Sequence, residues 1–375
     1  MSDTSPQDTS EPLFTTPLDA MHRELGAKMV PFTGYSLPVQ YPAGIMKEHL
    51  HTRAKASLFD VSHMGQAFLM GDQAIEAFET LVPGDYQILP EGKTRYTVLL
   101  NKDGCIMDDL MATRIPGGLY IVVNAACKTQ DFAHILANTE GRAELQILND
   151  RALMALQGPS AGDIMARLSP DTADMTFMMF REVEISGIPC FVTRSGYTGE
   201  DGFEISVLAS DAIQLAQILL SEPDVEPAGL GARDSLRLEA GLCLYGHDIT
   251  TDTTPIEADI KWCVNKRRRE EGGFPGANII MDQLKNGVDS IRVGILPEGR
   301  APAREGTEVQ DLDGNSIGTI TSGGYGPSVG GPVAMGYVKT EFSEPDTSIN
   351  LIVRGKALAA KIVKMPFTQK TYKTK

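Results

Sequence analysis

The order of apolar and polar residues predicts short helices and strands in alternation. Apolar residues recur every three or four positions, as on one face of a helix, in six segments. These segments are residues 18–25, 46–57, 73–81, 128–137, 161–168 and 211–220. Strand-like runs lie between them without a sustained βαβ rhythm, so the pattern favours an α+β fold over a doubly wound parallel sheet.

One stretch, from residue 96 to residue 124, has the pattern of an antiparallel meander. Three runs of β-prone residues, 96–100, 106–115 and 119–123, are separated by a Lys-Asp-Gly turn and a Pro-Gly-Gly turn. Two later runs, 189–194 and 203–207, also predict strands.

The last quarter of the chain has a different pattern of apolar and polar residues from the rest. Helical periodicity ends near Val288, and short apolar runs separated by Gly, Pro, Asp and Asn follow. A basic run, residues 266–269, precedes this change and leads into Gly-Gly and Pro-Gly. We therefore predict one region over residues 13–275 and a β-rich domain over residues 290–372.

Composition and charge exclude several classes of protein. The 375 residues are 42% apolar and 22% charged, which is ordinary for a globular protein. The formal charge of −15 would repel nucleic acid and anionic lipid, so neither is an expected partner. No apolar run approaches the roughly 20 residues that span a bilayer.

Cysteine usage and the first residues bear on location. The five cysteines are an odd number, lie far apart and form no C-x-x-C pair, which favours a reducing compartment. Residues 1–12 are rich in Ser, Thr, Asp and Glu and match neither a secretory signal nor a basic transit peptide. We expect them to be a disordered tail in a cytoplasmic protein.

Metal and phosphate motifs are lacking. His49 and His51 lie two apart in a predicted helix, where they point away from each other, and no third ligand is evident. We therefore expect no metal.

Asp108 and Asp109 are unusual because they lie in the middle of an otherwise apolar predicted strand. The two-residue period of a strand sends them to opposite faces, so at least one is set among apolar neighbours. Such an acid is a candidate for proton handling or for holding a cation. An exposed acid on a sheet with one wet face is the alternative.

Three other residues are candidates on weaker grounds. Glu204 alternates with apolar residues, which also fits a solvated strand position. Arg233 opens a predicted helix, where a cation opposes the helix dipole and hints at an anionic partner, although the pattern alone favours an exposed Arg with no partner. Trp262, the only tryptophan, is either a core residue or a flat stacking wall.

Several long motifs in one order closely resemble the T-protein family, the aminomethyltransferases of the glycine cleavage system. They read Phe59-Asp-Val-Ser-His-Met-Gly65, Gly104-Cys-Ile-Met-Asp-Asp-Leu110, Leu156-Gln-Gly-Pro159, Arg194-Ser-Gly-Tyr-Thr-Gly-Glu-Asp-Gly202 and Ala232-Arg-Asp-Ser-Leu-Arg-Leu-Glu-Ala-Gly-Leu242. The resemblance runs from about Thr16 to Tyr372.

The resemblance implies a three-lobed, cloverleaf-like α+β fold, with two lobes in residues 13–275, a central tetrahydrofolate site and a C-terminal β-barrel. It also implies the reaction. An aminomethyl group on the dihydrolipoyl arm of the H-protein passes its methylene to tetrahydrofolate, which gives 5,10-methylenetetrahydrofolate, ammonia and reduced H-protein.

The resemblance also implies roles for particular residues. The functional acid of the family corresponds to Asp109, the pterin-binding Glu to Glu204, the substrate-site Arg to Arg233 and a late C-terminal contact to Tyr372. Further positions that line the folate pocket in the family correspond to Tyr96, Asn124, Tyr197, Trp262 and, more weakly, Met64. Cys105 stands where the family usually has Gly, and Tyr35 where Trp is common.

Other functions stay open alongside this one. One is another tetrahydrofolate-dependent demethylase of the superfamily, such as a dimethylsulfoniopropionate demethylase. Another is the non-catalytic, folate-binding iron–sulfur maintenance protein that shares the fold, although its Lys-Gly-Cys-Tyr signature is missing here. The basic run is either a docking site for the H-protein or a solvated turn at a domain boundary.

Overall fold

The structure, a computed structural model, describes residues 12–375. The predicted tail of residues 1–12 lies outside the described residues apart from Pro12, which is exposed. The helices are α1 (Asp19–Glu24), α2 (Ile45–Ala54), α3 (Ala74–Glu79), α4 (Lys128–Thr139), α5 (Ala161–Leu168), α6 (Ala212–Leu220), α7 (Leu230–Glu239), α8 (Lys266–Glu271) and α9 (Ala277–Asn286). Short 3₁₀ turns occur at Pro170–Thr172, Lys261–Cys263 and Thr340–Phe342. In this described part no helix is long and apolar enough to cross a membrane.

The strands form three larger sheets and one short hairpin. Before residue 150 they are β1 (Lys28–Phe32), β2 (Tyr35–Gln40), β3 (Ala56–Asp60), β4 (Gly65–Met70), β5 (Thr94–Leu100), β6 (Ile106–Ile115), β7 (Gly118–Val123) and β8 (Glu144–Ile147). The middle of the chain supplies β9 (Arg151–Gln157), β10 (Phe180–Ile185), β11 (Ile188–Thr193), β12 (Gly202–Leu208) and β13 (Val225–Pro227). The last six are β14 (Ser290–Pro297), β15 (Glu308–Gln310), β16 (Ser316–Gly326), β17 (Gly331–Lys339), β18 (Ser348–Val353) and β19 (Lys356–Val363).

The first sheet has the order β5-β6-β7-β4-β8 and is antiparallel throughout. Its apolar face packs on α3 and α4, and Phe78, Leu99, Leu119 and Ile135 are fully buried there. Burying side chains of this size contributes about 1.5–3 kcal/mol each, which fixes which face of β6 turns inward. The opposite face is left to carry the site described below.

The second sheet has the order β10-β11-β12-β9-β3-β13, and only its β3–β13 pair is parallel. Helices α5 and α6 cover one face through a core that includes Ile164, Phe203 and Leu215. Helix α7 packs beside α2 and contributes Leu236 to a smaller cluster with Phe59.

The last six strands close into a barrel of order β14-β17-β16-β15-β18-β19. A buried network ties it to α7: Arg237 donates to Asp248 over 2.8 Å and to Ser322 of β16 over 3.0 Å. The barrel is therefore held rigidly beside the helix that carries Arg233. The prediction of an α+β fold with a C-terminal β-barrel is confirmed.

Two predicted elements differ from the structure. The helix predicted over residues 46–57 ends at Ala54, because the residues that follow form β3, a fully buried strand inside the second sheet. Burial on both faces of β3 outweighs the helical spacing of its first residues. Arg233 does not open its helix either, since α7 begins at Leu230.

Candidate functional site

Asp109 lies on the face of the first sheet that α3 and α4 do not cover. Alternation along β6 places Asp109, Met111 and Thr113 on one face, and the last two line a small cavity. Tyr96 of β5 pairs in register with Met111, and Asn124 follows the end of β7 beside Asp109. The meander predicted from the sequence thus brings three of the predicted site residues to one place.

Asp109 is held by two hydrogen-bonding groups. The Asn124 side-chain amide donates to Asp109 Oδ1 over 2.7 Å, and the Tyr96 hydroxyl also contacts the carboxyl group. Burial and the charge of Asp108 nevertheless raise the pKa of Asp109 to about 7. Near neutral pH this carboxyl group is therefore able both to accept and to return a proton.

Asp108 points to the opposite face of β6, toward α4, and is fully buried. It accepts hydrogen bonds from Asn124, through the side-chain amide over 2.9 Å and the backbone N–H over 3.3 Å. The alternative of an exposed acid on a wet sheet face is therefore wrong for Asp108. Asn124 at the strand end reaches both aspartates.

Glu204 faces the same cavity from the second sheet. The cavity lies between the two sheets, with Thr94 and Val122 on one side and Thr193 and Glu204 on the other. Glu204 Oε2 accepts a hydrogen bond from the Ser195 hydroxyl over 2.7 Å. The side chain is half-buried, so the solvated position that the pattern also allowed is not what the structure shows.

Arg233 and Tyr197 contact each other, within range of the charges of Glu204 and Asp109, respectively. The Arg233 guanidinium carbon is 4.8 Å from the centre of the Tyr197 ring, and its Nη1 is buried without a hydrogen-bond partner among the described residues. Burial lowers the pKa of Arg233, and the nearby Glu204 partly offsets this. The Tyr197 hydroxyl donates to the Cys243 carbonyl, and the charge of Asp109 contributes to the raised pKa of Tyr197. Charge interactions thus connect Tyr197 with Asp109 and Arg233 with Glu204, and these four side chains are called the site surface below.

Trp262 lies at the outer end of this surface. Its ring centre is 5.1 Å from that of Tyr96, at an interplanar angle of 40°, and 58% of the residue is exposed. Of the two readings that the sequence left open, the structure excludes a core residue. Met64 packs against the apolar cluster that contains Phe59 and Leu236, and it lines a second pocket and not the cavity that Glu204 lines.

Tyr372 does not join this group. Its ring stacks on Phe177 with centres 4.1 Å apart, and burial raises its pKa to about 12 with a contribution from Glu200. The preceding residue, Thr371, binds Glu200 and Asp201. Its contacts within residues 12–375 therefore place Tyr372 near the loop before β12, not beside Asp109.

Three residues near the site were missed in the sequence. Ser195 binds Glu204, Asp131 of α4 faces Asp108, and the buried His63 lies close enough to Arg233 for its charge to act on it. Burial, with that charge, lowers the pKa of His63 to about 4 and keeps it neutral. Asp131 carried a readable signal, because it is an acid on the apolar stripe of a helix.

Cys105 leaves the hairpin beside Asp109 intact. Gly104 keeps the positive φ of the turn, at +75°, and Cys105 lies after it with its backbone N–H bonded to Asn101 over 3.0 Å. Burial and nearby carboxylates raise the pKa of the Cys105 thiol. The replacement of the usual Gly by Cys105 therefore leaves the backbone geometry of the turn intact.

The basic run forms a helix and not the predicted turn, and two of its arginines, Arg267 and Arg268, are bound within the chain. It forms α8, in which Arg267 binds Glu79 over 2.6 Å and Asp85 over 2.9 Å. Arg268 donates to the backbone carbonyl of Glu79 over 2.6 Å, and Arg269 donates to two carbonyls preceding the helix. These arginines are occupied within the chain and do not form a free basic surface.

Comparison with known proteins agrees with this architecture. The family described as GCVT N-terminal domain matches residues 18–268, and that described as Glycine cleavage T-protein C-terminal barrel domain matches residues 292–369. The chain is 49% identical to the mitochondrial aminomethyltransferase of Dictyostelium discoideum, over 97% of this chain and 95% of the relative. It is 47% identical to that of Gallus gallus, over 96% and 94%. The crystal structure of the glycine cleavage system aminomethyltransferase T from Bartonella henselae, 43% identical, superposes with a TM-score of 0.91 and covers 96% of this chain and all of that one.

Proposed function

The chain belongs to the aminomethyltransferase family of the glycine cleavage system, and from that membership we propose a specific reaction. The enzyme passes the methylene of an aminomethyl group from the dihydrolipoyl arm of a lipoylated H-protein to tetrahydrofolate. The products are 5,10-methylenetetrahydrofolate, ammonia and reduced H-protein. The observation that carries the proposal is the placement of Asp109 between Tyr96 and Asn124, on the face of β6 whose next residues, Met111 and Thr113, line a cavity together with Glu204.

Asp109 supplies the acid–base chemistry. Tetrahydrofolate brings the nucleophilic nitrogens, and a carboxylate beside them orients the attacking nitrogen and accepts its proton. Because its pKa is about 7, Asp109 is a stronger base than a free carboxylate and is still ionised in a large fraction of molecules. The fixed negative charge also stabilises the positive charge that develops as ammonia leaves.

Glu204 and Arg233 fit two different polar groups of a folate. A pterin edge presents an amino group and a ring N–H side by side, and one carboxylate accepts both in fork geometry. Glu204 already has one oxygen held by Ser195, which fixes the orientation of the group. The buried, unpartnered Nη1 of Arg233 suits a carboxylate of the folate tail, because Arg pairs with carboxylates in planar geometry.

Two aromatic residues supply a flat apolar wall for the ring system of the ligand. Tyr96 and Trp262 lie next to each other at the outer end of the surface, where flat rings stack on flat ligands. A bound ring system would cover the exposed face of Trp262 and exclude water from Asp109. Proximity of the two substrates then supplies much of the acceleration.

One assay tests the reaction. Purified enzyme is mixed with tetrahydrofolate and aminomethylated H-protein, and methylenetetrahydrofolate is measured, while a parallel reaction replaces the H-protein with dimethylsulfoniopropionate. We expect product only in the first reaction. Product only in the second would assign the chain to the demethylases, and folate binding without either product would assign it to the non-catalytic folate-binding proteins.

The location in the cell is a separate proposal. All five cysteines are free, which is what a reducing compartment such as the cytoplasm maintains. The relatives from Dictyostelium discoideum and Gallus gallus are named mitochondrial, so the alternative location to test is the mitochondrion. Fractionation of the source cells, with the chain detected by antibody, distinguishes the two.

A further inference from the structure

Three carboxyl groups meet on and behind the reactive strand. Asp108 and Asp109 are neighbours on β6, and Asp131 of α4 approaches Asp108 from the covered face of the sheet. Asp108 and Asp131 have no exposed surface. Like charges this close in a buried place do not all ionise, so the cluster retains at least one proton near neutral pH.

The hydrogen bonds show which carboxyl group is stabilised as an anion. Asp108 accepts two hydrogen bonds from Asn124, and such donors favour the ionised form. Neither oxygen of Asp131 receives a hydrogen bond from any N–H or O–H group in residues 12–375. The group that Asp131 faces is the carboxyl of Asp108, and their contact is a hydrogen bond only when one of them is protonated.

We propose that Asp131 stays protonated at neutral pH, donates its proton in a hydrogen bond to Asp108, and so keeps Asp108 as the ionised neighbour of Asp109. Asp131 is thus a positioning residue that acts through Asp108 and touches no substrate. The inference deepens the proposed function, because it explains how Asp109 becomes a base suited to neutral pH.

The surroundings agree with this assignment. The other titratable groups that face the pair are Cys127, immediately before α4, and Tyr245. Burial and the nearby carboxyl groups raise the pKa of both, so neither adds a charge. Burial and the contact with Asp108 raise the pKa of Asp131 far above that of a free carboxyl, while the charge of Asp108 adds to burial in raising that of Asp109.

The main test measures how many protons the chain takes up on folding, and it does not depend on turnover. Asp131→Asn keeps a neutral donor toward Asp108, and urea unfolding of wild type and variant is followed at pH 6, 7 and 8. In wild type, folding takes up one proton at Asp131, since that group is ionised in the unfolded chain above about pH 4. The unfolding constant of wild type relative to the variant should therefore rise about tenfold for each pH unit.

The matched control is Asp163→Asn. Asp163 is an exposed acid in the first turn of α5. The unfolding constant of wild type relative to Asp163→Asn should therefore stay the same from pH 6 to pH 8. A constant ratio for Asp131→Asn as well would show that Asp131 is ionised in the folded protein, which overturns the proposal. Neither result depends on whether the chain transfers an aminomethyl group.

A second measurement covers the case in which Asp131→Asn does not fold. Infrared spectra of wild type labelled with ¹³C at the aspartate side-chain carboxyl should show a protonated carboxylic acid that persists at pH 8. Absence of that band at pH 8 would overturn the proposal. Where turnover is measurable, the acidic limb of kcat/KM should keep its position in Asp131→Asn, and a shift of that limb to lower pH would show that the wild-type residue carries a charge.

Discussion

The Asn124 side-chain amide donates to Asp109 Oδ1 over 2.7 Å, and this contact fixes the orientation of the acid that shares a face of β6 with Met111. Asn124 follows the last residue of β7, so the register between β6 and β7 sets the contact. A one-residue slip of that register would send Asp109 to the covered face. The geometry of the sheet and the chemistry of the site are therefore specified together.

Replacing Asp109 with Asn should leave the protein folded and reduce turnover by roughly 10²-fold or more. The amide neither accepts the proton nor stabilises the developing positive charge, and effects of that size are typical of such groups. Methylenetetrahydrofolate formation is the measurement, with circular dichroism to check the fold. The control, Asp103→Asn, changes an exposed acid in the same hairpin and should retain activity.

The pH dependence of kcat/KM should show an acidic limb near pH 7, because the base form of Asp109 is lost below its pKa. Asp108→Asn removes a neighbouring negative charge, which lowers the pKa of Asp109 and moves this limb to lower pH. We expect Asp108→Asn to be less damaging than Asp109→Asn above pH 7. An acidic limb that stays at the same pH in Asp108→Asn would mean that burial alone sets the pKa of Asp109.

Glu204→Gln should weaken tetrahydrofolate binding about ten- to a hundredfold. An amide accepts at one of the two positions that the pterin donors require, and an unsatisfied donor costs about 1–3 kcal/mol. Titration calorimetry gives the dissociation constant directly. Glu182→Gln, at an exposed position of β10 in the same sheet, is the matched control. If both variants bind folate like wild type, the carboxylate contributes nothing to recognition.

How far the sequence predicted the site depends on distance along the chain. The alternation of β6 was enough to separate the faces of Asp108 and Asp109, since that property is local. The contact of Arg233 with Tyr197 and the approach of Asp131 to Asp108 depend on how helices pack against sheets, which no local pattern specifies. Tyr372, placed by resemblance alone, stacks on Phe177, beside the loop that carries Tyr197.

The basic run shows the same limit in another form. A dense positive segment in a chain of charge −15 resembles a docking site for an acidic partner. The acids that neutralise Arg267, Glu79 and Asp85, lie more than 180 residues earlier in the chain. Only the folded structure shows that the positive charge of Arg267 is already neutralised within the chain.

Arg267→Ser should therefore act on stability and not on recognition of the H-protein. The side chains of Glu79 and Asp85 are 3% and 1% exposed. Removing Arg267 leaves Asp85 without an ion-pair partner among the described residues and leaves Glu79 with only the longer contact to Arg268, at 3.7 Å. Breaking a buried ion pair from one side typically costs about 3 kcal/mol or more, which urea unfolding at pH 7 would measure. Lys266 immediately precedes Arg267, and its side chain is 91% exposed. The control Lys266→Ser should therefore change the free energy of unfolding little.

The pH dependence of that loss provides a further check. Burial acts to raise the pKa of Asp85, but the hydrogen bond and charge of Arg267 outweigh it, so the folded-state pKa lies below the usual 3.8. Stability from this pair is fully present above that value and is lost as pH falls through the folded-state pKa. The deficit of Arg267→Ser should accordingly shrink in acid. An undiminished stability together with a raised Michaelis constant for H-protein, measured at several ionic strengths, would instead restore the basic run as the docking surface.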